Sequence, residues 1–160
     1  MNDVVAEITI DPKVRRVVNV RRSDIPVTFK CQRCAVFCCR LGAPKLLRKD
    51  IERLEQAGHR AGDFLDRERG SIKSKEDGSC IFLSAEETSR FYKCAVHDFR
   101  PILCQLYPFR FENSTGNLCV LRVIPCCNGL NVRNGEIVGA KFAAMIADSA
   151  LFEMIDAGMI

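Results

Sequence analysis

Cysteine is the residue that most restricts what this chain can fold into, because ten of its 160 residues are cysteines. At that density, cysteines either pair as disulfides or bind metal. Disulfide-held scaffolds are short secreted chains with more than about 8% cysteine, whereas ten in 160 is about 6%. The first ten residues already hold Asp3 and Glu7, so we expect no secretory signal and a reducing, cytoplasmic environment. Metal binding is therefore the favoured interpretation.

The spacing of the cysteines narrows the kind of metal site. Cys31 and Cys34 are separated by two residues, which lets a tight turn direct both sulfurs at one ion or cluster. Neighbouring side chains in an extended segment point to opposite faces. The pairs Cys38-Cys39 and Cys126-Cys127 therefore serve two neighbouring sites better than one tetrahedral ion. Two four-thiolate sites with two spare cysteines are the simplest arrangement, and zinc and iron–sulfur both remain open.

Hydrophobic patterning predicts a mixed α+β fold in a single metal-binding domain over residues 1–160. Residues 1–30 are rich in β-branched side chains, which predicts one or two N-terminal strands. Residues 31–130 hold the cysteines and are expected to form a small irregular core with short hairpins. Apolar residues at helical spacing predict a C-terminal helix over 136–159, so two or more helices are expected to pack on this core.

Turn and capping signals place the smaller elements. A helix is expected between Pro44 and Gly58. Proline suits the first turn of a helix, and glycine suits the position directly after its end. A second short helix is expected over 63–69. A short buried strand is expected over 80–83, followed by a helical turn that starts at Ser84 with Glu87 at capping-box spacing. The segment Asn-Ser-Thr-Gly-Asn at 113–117 predicts the turn of a hairpin.

Composition and missing motifs exclude several classes of function. The net charge of +4 is too small for a basic stripe that binds nucleic acid. No apolar run reaches the roughly 18 residues of a membrane-spanning helix. The sequence has no glycine-rich nucleotide loop after a clear strand, no HExxH motif and only two histidines. We therefore expect no specific nucleic-acid binding, no membrane span, and an accessory or electron-transfer protein rather than a stand-alone enzyme.

A longer cysteine pattern carries a family resemblance. It comprises Cys31, Cys34, Cys38 and Cys39, then Cys80 in Gly-Ser-Cys-Ile-Phe-Leu, then Cys94-Ala-Val-His97-Asp-Phe-Arg100-Pro101-Ile-Leu-Cys104-Gln-Leu-Tyr107-Pro108-Phe109, and finally Cys127-Asn-Gly129. This pattern resembles the CxxCxxCC (YkgJ-like) family of zinc- or iron-chelating cysteine-cluster proteins, which includes flagellin lysine N-methylases. The resemblance covers about residues 31–130. His97 and Gln105 stand where the family usually has Tyr and Arg, and three residues rather than two separate Cys34 from Cys38.

The pattern and the resemblance together imply a set of site residues. The candidate metal ligands are Cys31, Cys34, Cys38, Cys39, Cys80, Cys94, Cys104, Cys126 and Cys127. Arg100 is a candidate cofactor-binding residue; alternatively it holds the carbonyls of the ligand loops or offsets thiolate charge. Cys119 lies outside the core of the pattern, so its replacement is expected to matter less.

These features predict a cytoplasmic iron–sulfur protein with one or two thiolate-ligated clusters, of the [4Fe–4S] type. We expect it to carry electrons, or to support the assembly or activation of a metalloenzyme, together with a protein partner. Two alternatives stay open. One is a module in which zinc only holds the fold and the surface binds a partner. The other is an enzyme that resembles the protein lysine N-methylases.

Overall fold

The computed structural model describes residues 3–22, 26–33, 43–85 and 92–160, and it confirms the mixed α+β fold. The chain forms two compact units: the first comprises Met1–Cys31 and Pro108–Ile160, and the second comprises Gln32–Tyr107. This division does not test whether the chain folds as one domain, so the single domain over 1–160 stays a prediction. Within the described residues, no helix is both long and apolar enough to cross a membrane.

The described elements are short. The strands are β1 (Val4–Asp11), β2 (Arg16–Arg22), β3 (Thr28–Phe29), β4 (Leu65–Asp66), β5 (Ser71–Ile72), β6 (Leu83–Ala85), β7 (Tyr92–Cys94), β8 (Phe109–Thr115), β9 (Leu118–Val123) and β10 (Glu136–Ile137). The helices are α1 (Arg48–Gln56), α2 (Ala61–Phe64), α3 (Ile102–Leu106), α4 (Ala140–Ile146) and α5 (Phe152–Asp156). A 3₁₀ turn, His97–Phe99, precedes α3, and a π-helical turn, Ala147–Leu151, joins α4 to α5.

The first unit is built on a four-stranded antiparallel sheet in the order β2-β1-β9-β8, so β2 and β8 are its edges. Local sequence explains both hairpins. The Asp11 carboxylate accepts hydrogen bonds from the backbone N–H groups of Lys13 (2.9 Å) and Val14 (3.4 Å), which shapes the β1–β2 turn. Gly116 adopts a φ of +53° in the β8–β9 turn. The predicted N-terminal strands and the predicted hairpin at 113–117 are thus confirmed.

One face of this sheet forms the core of the first unit. The strand register places Ala6, Leu121 and Phe111 side by side, and all three are buried. Helix α4 packs on this face, where the Phe142 ring meets the Phe109 ring edge-on, with centroids 5.3 Å apart. Burial of these apolar side chains is the main favourable contribution to folding of the unit.

The C-terminal helix is shorter than the sequence predicts. It runs from Ala140 to Asp156 through the π-helical turn, and residues 136–137 instead form β10, which pairs with β3. A Cβ on Gly135 would lie 2.9 Å from the backbone nitrogen of Phe29, so a glycine is needed for the two segments to meet. This pairing joins residues more than a hundred positions apart, and helical periodicity cannot reveal it.

The opposite face of the sheet carries a network of charges. Arg122 Nη1 lies 2.5 Å from Asp3 Oδ1, and Arg122 Nε donates to Glu112 Oε2 at 2.8 Å. Arg110 adds longer contacts of 3.9 Å to Asp3 and 3.6 Å to Glu112. Burial would raise the pKa of Asp3, but the hydrogen bond from Arg122 and the attraction of both guanidinium groups hold that pKa below its ordinary value.

The second unit begins with α1, which starts at Arg48 rather than at Pro44. Pro44 and the residue after it are extended: the Pro44 carbonyl accepts the Ile72 N–H at 3.1 Å, and Lys45 forms an isolated bridge with Ser71. The predicted end is confirmed, since Gly58 adopts a φ of +97° directly after the helix. The tertiary pairing with β5 therefore displaces the helix start from its proline signal.

Other small elements of the second unit differ from the sequence prediction. The expected helix over 63–69 is largely absent, because α2 ends at Phe64 and the next two residues pair as β4 with β5. The expected strand over 80–83 begins only at Leu83. Ser84 belongs to β6 rather than to a helical turn, and Glu87 lies outside the described residues.

The charge network predicts how the stability of the protein depends on pH. Replacing Asp3 with Asn should lower the free energy of unfolding at neutral pH and leave it almost unchanged in strong acid. Because the folded pKa of Asp3 lies below its ordinary value of 3.8, its contribution is present above that value and is lost as the pH falls through the folded pKa. Urea unfolding of wild type and Asp3→Asn at pH 7 and about pH 2 measures this difference.

Asp148→Asn, which removes a carboxylate at an exposed position in the π-helical turn, is the matched control for the loss of one negative charge. A difference between wild type and Asp3→Asn that is the same at both pH values would contradict this assignment.

Candidate metal centre

Seven of the ten cysteines lie in the described part of the chain, and these seven form no disulfide with one another. They are Cys31, Cys80, Cys94, Cys104, Cys119, Cys126 and Cys127. The predicted ligands Cys34, Cys38 and Cys39 lie outside the described residues. Thiolate sulfur is a ligand that suits zinc, copper(I) and iron–sulfur clusters better than hard cations.

In the first unit, backbone pairing brings the segment that carries Cys31 to the segment that carries Cys127. The Lys30 N–H donates to the Gly129 carbonyl at 2.9 Å, and Phe29 forms a bridge with Leu130. Cys31 directly follows this pairing and is exposed, while Cys127 is half-buried. Two of the predicted ligands therefore lie on adjacent, hydrogen-bonded stretches of chain, and Cys126, also exposed, precedes the second of them.

Gly129 makes this arrangement possible in two ways. Its N–H donates to Cys127 Sγ at 3.4 Å, and a donor of this kind stabilises a thiolate and adjusts the properties of a bound metal. Its missing side chain matters as well. A Cβ on Gly129 would overlap the Lys30 carbonyl oxygen and lie 3.0 Å from Phe29 Cε2. The glycine of the Cys127-Asn-Gly129 motif is thus required by close packing of backbone on backbone.

Cys119 is the one described cysteine that the structure places within the core of the sheet. It is 2% exposed and lies opposite Ile8 on β1. Burial raises the pKa of the Cys119 thiol, which favours the protonated form over the thiolate that binds metal. Its surroundings are those of an inert core thiol, in line with its place outside the family pattern.

In the second unit, three predicted ligands lie in three separate parts of the chain. Cys80 is buried against Ile72 and Leu83 in a small apolar cluster. Cys94 ends β7 opposite Leu83 and is half-buried. Cys104 lies in α3 and is also half-buried.

Arg33, inside the Cys-Gln-Arg-Cys motif, is fixed by the strand that ends in Cys94. Its φ is +52°, a left-handed conformation that residues with a side chain rarely adopt. The Tyr92 N–H donates to the Arg33 carbonyl at 3.1 Å, and Arg33 Nε donates to the Tyr92 carbonyl at 3.2 Å. The sequence shows that Arg33 lies beside cysteines and could offset thiolate charge, but it does not predict the contact with Tyr92, which lies 59 positions away.

The Arg100 side chain donates a hydrogen bond to one backbone carbonyl of its own segment. Its Nε donates to the His97 carbonyl at 3.0 Å, and its own carbonyl accepts a hydrogen bond from Gln105 Nε2 at 2.6 Å. These contacts tie the 3₁₀ turn to α3, the helix that carries Cys104. Contact between Arg100 and a cofactor stays a prediction.

Sequence reasoning also missed Asp50, which is 1% exposed in α1. Its carboxylate accepts the Ile102 N–H at the start of α3 at 3.0 Å, across 52 positions of sequence. The available signal was an acidic residue between Leu47 and Leu54, two buried residues of the apolar stripe of this helix. A charge on such a stripe indicates a specific buried partner.

Within the described ranges, no three His, Cys, Asp or Glu side chains meet at metal-binding distance. The structure pairs the segment of Cys31 with that of Cys127. Hydrogen bonds from Arg33 and to Asp50 hold the segments of Cys94 and Cys104. The complete ligand set remains a prediction.

Comparison with known proteins agrees with the cysteine pattern. The sequence profile of the CxxCxxCC family, described as "Putative zinc- or iron-chelating domain", matches residues 30–122. A relative from Methanocaldococcus jannaschii, named Uncharacterized protein MJ0661, is 25% identical over 140 residues, which cover 79% of this chain and 72% of the relative. No solved structure matches the chain. The family match spans more than half of the sequence and confirms the resemblance.

The close approach at Gly129 gives a mutational prediction. Gly129→Ala should lower the free energy of unfolding by about 1–3 kcal/mol, because the new methyl group has to displace backbone. Gly62→Ala is the matched control, since an added Cβ at Gly62 meets nothing within 4 Å. Urea denaturation followed by circular dichroism measures both variants. Equal stability of the two alanine variants would contradict the crowding at Gly129.

Proposed function

Because the chain belongs to the CxxCxxCC family of zinc- or iron-chelating domains, we propose that its cysteines hold iron, as one or two iron–sulfur clusters of the [4Fe–4S] type. The number of available thiols carries the metal-binding part of this proposal, and the metal and sulfide analysis decides between iron–sulfur and zinc. Removing the buried Cys119 from the ten cysteines leaves nine, which still exceeds the four of a single zinc site by five. Nine thiols are enough for two four-thiolate clusters.

The setting of Cys127 supports a bound thiolate. Hydrogen bonds from backbone N–H groups to cluster sulfurs are among the features that set the reduction potential of such a cluster. The Gly129 N–H is directed at Cys127 Sγ in this way. Cys31 and Cys126 are both exposed, so metal or a donor protein can reach their thiols from solvent.

A bound iron–sulfur cluster would supply one-electron redox chemistry. The role of this chain would then be to bind the cluster, to tune its potential and to present it to another protein. We therefore propose a cytoplasmic protein that carries electrons to a partner, or that supports the assembly or activation of a partner metalloenzyme.

The first experiment is metal and acid-labile sulfide analysis of anaerobically purified protein, together with its visible spectrum. Iron and sulfide in equal amounts, about four or about eight of each per chain, would support one or two clusters. A colourless protein with zinc and no sulfide would overturn the iron–sulfur proposal. The cysteines would then be structural ligands, and removal of zinc by a chelator should unfold the protein.

The proposal predicts which cysteines determine metal content. Cys31→Ser and Cys104→Ser should each lower the bound metal per chain and the stability, because a serine hydroxyl replaces a thiolate ligand. Cys119→Ser is the matched control. It should leave the metal content unchanged, although a hydroxyl in the core of the sheet lowers stability. Mass-spectrometric metal analysis of the folded variants measures the difference. Unchanged metal in both Cys31→Ser and Cys104→Ser would contradict the ligand assignment.

A further inference from the structure

Asp50 is a buried carboxylate whose two oxygens accept hydrogen bonds from two different parts of the chain. It is 1% exposed, and moving a charge out of water is costly unless the charge is paired and hydrogen-bonded. Arg53, one turn further along α1, forms an ion pair with Asp50 Oδ1. The two carboxylate oxygens also accept two backbone hydrogen bonds, and these go to different elements.

The first of these bonds has a local purpose. Asp50 Oδ2 accepts the Leu47 N–H at 2.9 Å, which caps the start of α1. This contact spans three residues and is an ordinary way to satisfy a helix terminus. A capping role alone would be met by one oxygen at a solvent-exposed position, and it gives no reason to bury the whole carboxylate.

The second bond reaches the cysteine-bearing helix. Asp50 Oδ1 accepts the Ile102 N–H at 3.0 Å, and Ile102 is the first residue of α3. This helix has only five residues and no side-chain cap at Pro101. A helix this short is not stable by itself, so its position depends on tertiary contacts. Cys104 lies two residues after Ile102, in the middle of the helix.

We propose that Asp50 is a positioning residue for Cys104: its carboxylate anchors the first turn of α3 and thereby sets where the Cys104 sulfur is presented to metal. This inference rests on the proposed function, in which Cys104 is a metal ligand. Outer partners that orient metal ligands typically change metal affinity by roughly 10–100-fold when they are replaced.

A double-mutant cycle separates positioning of Cys104 from a general effect on the fold. Cobalt(II), a probe for thiolate sites, is titrated into metal-free, reduced protein. Each titration is done with and without Asp50→Asn in three backgrounds: wild type, Cys104→Ser and Cys31→Ser. Asparagine keeps the shape of the side chain but loses one of the two acceptors that Asp50 uses. Glu52→Gln, an exposed acid on the same helix, is the matched control and should bind cobalt like wild type.

The expected result is an about tenfold or larger loss of affinity from Asp50→Asn in the wild-type and Cys31→Ser backgrounds. In the Cys104→Ser background the same change should have little further effect, because the ligand that Asp50 positions is gone. An equal loss in all three backgrounds would mean that Asp50 acts on the fold in general, and it would overturn the proposal.

A second measurement does not need metal. In metal-free protein, the alkylation rate of Cys104 relative to that of Cys94 can be read by mass spectrometry. Loss of the anchor should raise this ratio about five- to tenfold in Asp50→Asn, because α3 opens more often. An unchanged ratio would overturn the positioning role. If the wild-type protein takes up no cobalt, the alkylation ratio alone decides the role of Asp50, and the iron and sulfide analysis decides the proposed function separately.

If Asp50→Asn does not fold, the same hydrogen bond can be removed from the other side. Ile102→Pro deletes the N–H that Asp50 accepts, and proline suits the first position of a helix. Pro101 has a ψ of 153°, an extended conformation that tolerates a following proline. Ile102→Ala loses the same side chain but keeps the N–H, so it is the matched control. A higher alkylation ratio in Ile102→Pro than in Ile102→Ala supports the proposal, and equal ratios overturn it.

Discussion

The buried carboxylate of Asp50 is the interaction on which the organisation of the second unit depends. One oxygen caps α1 and the other holds the start of α3, while the Arg53 guanidinium balances the charge. Two helices far apart in sequence are thereby fixed to one side chain. A buried charge of this kind adds little net stability, but it tolerates few alternative arrangements. The segment around Arg100 and Cys104 is therefore held by specific hydrogen bonds as well as by the burial of Ile102 and Leu106.

In the first unit, the segment that carries Cys127 is fixed by backbone pairing rather than by a buried side chain. A sheet covered by α4 on one face supports the short pairing of β3 with β10 and of Lys30 with the Cys127-Asn-Gly129 turn. Here backbone meets backbone, and two glycines, Gly129 and Gly135, leave the space that this needs. In both units, hydrogen bonds between distant parts of the chain fix segments that carry candidate ligands: the Lys30–Gly129 pairing in the first unit and the Asp50–Ile102 bond in the second.

The elements that sequence reasoning predicted are those determined by nearby residues. The β8–β9 hairpin follows from the turn at 113–117, and the end of α1 follows from Gly58. Elements that depend on distant pairing were not predicted. Residues 136–137 pair with β3 as a strand instead of starting the predicted helix, and pairing with β5 keeps Pro44 extended. For the same reason the cysteines could be identified from the sequence pattern, while the contacts of Asp50 and Arg33, which fix the segments around the cysteines, could not. Their partners lie 52 and 59 positions away.

The edge strand β2 has a consequence for how copies of this protein meet. A free strand edge is a template on which another chain can add a strand and start aggregation. On β2, Arg16, Arg21 and Arg22 are all exposed, and Arg21 is matched by Glu7 of the neighbouring strand. Two identical edges brought together would place these cations against one another. Like charges opposed across strands are unfavourable, so self-association through this edge is disfavoured.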